Sequence, residues 1–70
     1  MNSFILTLNE NQITKSLLQD LRRILVSHPG ENNVEIKLYS SDKSQYKILE
    51  LAGFQVEPSL IFLNKIIDLL

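Results

Sequence analysis

The sequence changes its period at His28-Pro29-Gly30. Before that break, apolar residues recur every three or four positions, at Ile13, Leu17, Leu21 and Ile24, with Leu18 and Leu25 beside them. After it they alternate, with Val34, Ile36 and Leu38 separated by Glu35, Lys37 and Tyr39. The first spacing is that of a one-faced helix and the second that of a half-buried strand. Pro29 disfavours helical geometry at His28 and has no backbone N–H, and Gly30 supplies the flexible or left-handed residue that helix ends use. The break therefore predicts a helix running into His28, a structural turn through His28, Pro29 and Gly30, and a strand close behind it. Such a chain is expected to pack a helix face against a sheet face.

The remaining segments fit around this unit. Ser3 to Leu8 alternates as a strand, with Phe4, Leu6 and Leu8 on one face. Asn9 with Gln12 three positions on has the spacing of an N-cap and capping box, and Glu10 lies where the helix dipole favours an acid, so the first helix is expected to start there. After a polar turn at Ser40 to Ser44, Gln45 to Leu51 returns as the second arm of a hairpin. Tyr46 and Ile48 share one face of it while Leu49 and Leu51 share the other, so the arm is either covered on both sides or bulged. Ala52-Gly53 interrupts it, and Phe54-Gln55-Val56 reads as a short extended piece. Pro58 and Ser59 then open a last helix through Leu70. The order β-α-β-β-(β)-α predicts an α+β fold over residues 1–70 as one domain. Its expected form is a small, mainly antiparallel sheet of three to four strands with two helices on one side.

A domain of 70 residues buries only about 60% of its unfolded surface. The chain has no cysteine and one histidine, so neither disulfides nor a metal are expected to reinforce it. A partner or a longer parent chain is the expected support. With 44% hydrophobic and 21% charged residues the composition is that of a folded protein, and a net charge of -1 provides no basic field to attract nucleic acid or anionic lipid. The start from Met1 to Leu8 has no basic stretch, and no apolar run reaches the ~18 residues that span a bilayer. A cytoplasmic protein without a membrane contact is expected.

The last helix carries the surplus. Eight of its eleven residues from Leu60 to Leu70 are apolar. At about 100° per residue, Leu60, Leu63, Ile66, Ile67 and Leu70 form the middle of a stripe that Phe62 and Leu69 widen along one flank. This arc is wider than one face of a small sheet covers. Leu63 and Ile67 are therefore expected in the core, and Phe62, Ile66 and Leu69 are the candidate partner-binding residues. A homodimer through this helix is a further expectation.

No chemistry-bearing constellation appears. The eight carboxylates are scattered among caps, turns and exposed faces, and Ser40, Ser41 and Ser44 occupy a turn without a histidine motif. His28 suits a helix end, where its imidazole meets terminal carbonyls or packs on the core. No catalytic, cofactor-binding or metal-binding residue is assigned. Lys37, Tyr39 and Lys47 could share a sheet face and touch a single strand of nucleic acid by stacking and charge, which is the alternative function.

Leu17-Leu18-x-x-Leu21-x-x-Ile24-Leu25, His28-Pro29-Gly30, Val34-x-Ile36-x-Leu38 and Val56-x-Pro58-Ser59, followed by Leu63 and Ile67, together resemble a known layout. They resemble the extreme C-terminal domain of the alpha subunit of bacterial DNA polymerase III over nearly the whole chain. The resemblance implies a C-terminal piece of a larger polymerase subunit. Its implied role is a non-catalytic interaction module that helps attach the alpha subunit to the tau subunit of the clamp loader. The shared positions look like determinants of the fold, so no tau-contacting residue is carried over from them.

Overall fold

The computed structural model describes residues 2–70; Met1, the first residue of the start expected to carry no signal, lies outside them. The chain forms β1 (Ser3–Asn9), a single 3-10 turn (Glu10–Gln12), α1 (Lys15–Ser27), β2 (Pro29–Tyr39), β3 (Tyr46–Val56) and α2 (Leu60–Leu69). This is the α+β class in the expected order. The sheet, in the order β1-β2-β3, is mixed: β1 pairs with β2 in parallel from Ser3↔Asn33 to Asn9↔Tyr39, and β2 pairs with β3 antiparallel. α1 is the crossover that parallel neighbours need, since it carries the chain back to the end of the sheet where β1 began.

The first helix starts later than the Asn9 signal suggests. Asn9 does close a capping box, with its side chain accepting from the Asn11 N–H at 2.9 Å and Gln12 Oε1 accepting from the Asn9 N–H at 2.8 Å. That box opens a 3-10 turn only, because Ile13 returns to extended backbone. Thr14 then provides a second cap, its hydroxyl accepting from the Leu17 N–H at 3.0 Å, and α1 begins. α2 opens where expected, with the Ser59 hydroxyl accepting from the Phe62 N–H at 3.2 Å.

The return strand is bulged. Asn33 faces Gln55 while Glu35 faces Glu50, so Leu51 to Phe54 together stand opposite Val34. Gly53 lies in this bulge at φ +88°, a conformation that a side chain disfavours. The extended piece Phe54–Val56 is the end of β3 and not a fourth strand.

Leu6 and Leu8 of β1, Val34 and Ile36 of β2, Val56 of β3, Leu21 and Leu25 of α1, and Phe62 and Ile66 of α2 form one buried cluster. The strand residues alternate and the helix residues recur at four, so each element contributes one face. The opposite face of the sheet is open, with Ile5, Tyr46 and Ile48 exposed.

The hairpin turn is tied to the far end of β1. Asn9 Nδ2 donates to the Ser40 carbonyl at 3.0 Å, and Glu10 accepts from the Ser41 amide at 3.0 Å and from its hydroxyl. Those two bonds, the hydroxyl's first, hold the Glu10 carboxyl below the usual range. Within the turn Asp42 Oδ1 accepts from the Ser44 amide, the Ser44 hydroxyl and the Ser40 hydroxyl. These bonds favour the carboxylate, the Ser44 amide most, and lower Asp42 from 3.8 to about 2. A carboxyl lowered on folding stabilises the turn above its unfolded pKa and loses that contribution as pH falls through the folded one. The Ser44 amide resonance should therefore titrate with a midpoint near the folded value of about 2 rather than at 3.8. Asp42→Asn should abolish the step. A midpoint at the ordinary carboxyl value would mean that the turn does not hold Asp42 in this way.

Candidate functional site

α2 is held by one edge of its apolar arc. Phe62 is 0% exposed and Ile66 4%, and the Phe62 ring stands edge-on to Phe4 with centroids 5.1 Å apart and to His28 at 5.4 Å. Phe62 and Ile66 are thus core residues, and their expected role as partner contacts is corrected. Leu69, the third candidate, is half-buried against the same cluster. The two residues expected in the core are the open ones, Leu63 at 36% and Ile67 at 69%. The arc exceeds about 180° at ~100° per residue, and the Phe62 edge is the one taken inward because Phe4 and His28 meet the Phe62 ring in the first turn of the helix.

What remains outside is a ridge of Leu60, Leu63, Ile67 and Leu70, with Leu60 73% and Leu70 48% exposed. Their spacing of three, four and three lays them along one line of the helix. Lys65 and Asp68 point to other sides of the wheel, at ~100° per residue, which leaves Asn64 as the polar neighbour of the ridge. Neither Leu60 nor Leu70 is among the residues expected at the interface, although the three-four-three spacing was available as a signal. The described surface measures 5031 Å², against about 4,500 Å² for a folded monomer of 8.1 kDa. Exposed α2 residues contribute to that surplus.

His28 ends α1, but Pro29 and Gly30, expected to continue a turn, already belong to β2, and Gly30 is needed for a different reason than expected. His28 is the C-cap of α1; its Nδ1 lies 3.1 Å from the Ile24 carbonyl, to which the Nδ1–H tautomer donates, while the ring packs on Phe62. β2 starts directly at Pro29. Gly30 is not in the left-handed region: Gly53 is the glycine with positive φ. Gly30 instead lies against the backbone of Val56 and Glu57, where a Cβ would fall 2.5 Å from the Val56 carbonyl carbon and 2.6 Å from its oxygen. The same approach allows the Glu57 N–H to donate to the His28 carbonyl at 3.1 Å.

The nucleic-acid candidates separate. Lys37 and Tyr39 lie on the open sheet face, where cross-strand partners form the rows Ile5–Glu35–Glu50, Thr7–Lys37–Ile48 and Asn9–Tyr39–Tyr46. Lys47 pairs with Leu38 and so belongs to the opposite face, which corrects its expected place beside Lys37. The Lys37 ammonium sits 4.5 Å from the centre of the Tyr46 ring and 5.4 Å from that of Tyr39, a cation–π arrangement over a tilted tyrosine pair. The Tyr39 phenol, ahead of Tyr46, holds this ammonium above its ordinary pKa. The face therefore offers one cation already engaged by two rings, with Glu35 and Glu50 beside it.

Among the described residues no group of three or more His, Asp or Glu could hold a metal ion, and no helix is long and apolar enough to cross a membrane. Compared with protein-family models, with characterised proteins and with solved structures, the chain matches none.

Proposed function

We propose that this chain is a non-catalytic protein-interaction module whose docking surface is the α2 ridge. The observation that carries the reading is that Leu60, Leu63, Ile67 and Leu70 stand in one exposed line while Phe62 and Ile66, with Leu69 beside them, seat the helix. A row of apolar side chains at helical spacing is what a groove-forming or helical partner recognises. The resemblance to the C-terminal domain of the DNA polymerase III alpha subunit supports the tau subunit of the clamp loader as that partner. In that setting the module attaches a polymerase whose chemistry resides elsewhere.

Leu60→Ser with Ile67→Ser should leave melting close to that of the unsubstituted chain, because the two side chains are 73% and 69% exposed. The same double variant should bind tau more weakly by about 2 kcal/mol or more, as anchor residues do. Titration calorimetry and melting on one preparation decide the matter. Unchanged affinity in a folded variant would remove the ridge as the docking surface.

The alternative, an accessory single-strand-binding domain, would use the Lys37–Tyr39–Tyr46 cluster. The acids flanking Lys37 and the net charge of -1 count against it, since few counterions could be released. Binding to an oligo-dT strand in near-physiological salt should be no tighter than about 1 µM. A submicromolar dissociation constant that rises with Lys37→Gln would favour the alternative instead.

A further inference from the structure

We propose that, when no partner is bound, two copies of this chain pair through α2, antiparallel about a two-fold axis at the level of residue 65. A partner must then displace a second copy to reach the ridge. The inference rests on the same ridge as the docking reading and adds to it what covers that ridge in the free protein.

The ridge is its own complement. Its spacing of three, four and three is symmetric about position 65, so a two-fold axis there sets Leu60 against Leu70 of the second copy and Leu63 against Ile67. No charged side chain lies in the line or next to it. Lys65 is on the far side of the helix and Asp68 is well off the ridge, at ~100° per residue, so no like charges meet and none is buried. The antiparallel direction also sets each positive helix N-terminus beside a negative C-terminus and keeps the two Asp68 carboxylates apart. Area gives the scale. The surplus over a folded monomer is about 500 Å² per chain, judged against the surface expected for its mass. The open sheet face at Ile5, Tyr46 and Ile48 shares in that surplus, so a pair held by the ridge lies at or below the ~1,000 Å² at which specific interfaces begin, which fits association in the micromolar range.

Sedimentation equilibrium of the 70-residue chain alone tests the proposal. Between about 1 and 300 µM, a range suited to micromolar association, the mass should climb from 8.1 kDa toward twice that value. Leu63→Lys alone and Ile67→Glu alone should each weaken association by at least about tenfold, or about 1.4 kcal/mol. Combining the two should restore association, because across an antiparallel pair the new ammonium at 63 faces the new carboxylate at 67 of the other copy. A parallel pair would oppose like charges and stay apart. A chain that remains at 8.1 kDa throughout overturns the proposal, and so does a folded double variant that stays monomeric. Should either single variant unfold, the unsubstituted chain still decides. The experiment contains no tau, so a monomeric result leaves the docking reading standing, and failure to bind tau leaves the pairing standing.

Discussion

Phe62→Ala should lower folding stability by about 3 to 5 kcal/mol. At ~0.05–0.15 kcal/mol per residue, a domain this size has about 4 to 10 kcal/mol in all, so the substitution should leave the domain marginal or unfolded near body temperature. The size of the effect follows from position: Phe62 is fully buried, joins α2 to Phe4 of β1 and to His28 at the end of α1, and no neighbour can collapse into its space without moving a strand. Ile67→Ala on the same helix should change stability by no more than about 0.5 kcal/mol. Urea unfolding of the two variants in parallel measures the contrast. If Ile67→Ala proves the costlier, α2 rests on the sheet by its other edge and the ridge described above does not exist.

Gly30→Val should cost about 3 kcal/mol or more, at the upper end of overpacking effects. A Cβ there meets main-chain atoms of Val56 and Glu57, and main chain cannot rotate aside as a side chain can. Relief would mean opening the β2–β3 ladder at Pro29↔Val56 and losing the Glu57 to His28 hydrogen bond. Gly53→Ala makes the informative comparison, because nothing lies within 4 Å of its Cβ and the left-handed backbone at φ +88° is the sole cost, about 1 kcal/mol. Thermal melts should rank Gly30→Val well below Gly53→Ala. The reverse order would mean that the close approach at Gly30 is relieved in solution.

The apolar surface that α2 leaves exposed was legible as a quantity and not as positions. Counting apolar residues in Leu60–Leu70 reveals more hydrophobic surface than one sheet face can cover. Taking Leu63 and Ile67, near the middle of the arc, as the core and its Phe62 flank as the free side reverses what the fold does, and Ile66, also in the middle, was set on the wrong side with them. A similar ambiguity moved Lys47. Tyr46 and Ile48 argue for one face of β3 and Leu49 and Leu51 for the other, and only the pairing of Leu38 with Lys47 and Lys37 with Ile48 decides between them. At Gly30 the residue type was informative while its cause was not, since φ > 0 and a close backbone approach both select glycine.

From the sequence by itself follow the period of each segment, its boundary residues and therefore the order of strands and helices. These depend on contacts a few residues apart: the cap at Ser59, the proline after His28, and alternation in β1 and β2, whereas at Asn9 the same kind of signal opened only a 3-10 turn and α1 began after its cap at Thr14. Tertiary structure alone decided that β1 and β2 run parallel, that the Phe62 edge of α2 faces inward, and that Leu60, Leu63, Ile67 and Leu70 are left outside. The physical reason is that alternation reads the same in both chain directions and that hydrophobic attraction has no direction of its own. Which part of a wide apolar arc is buried depends on the shape it meets, and that shape is made where Phe62 packs on Phe4 and His28, residues distant in sequence from the helix.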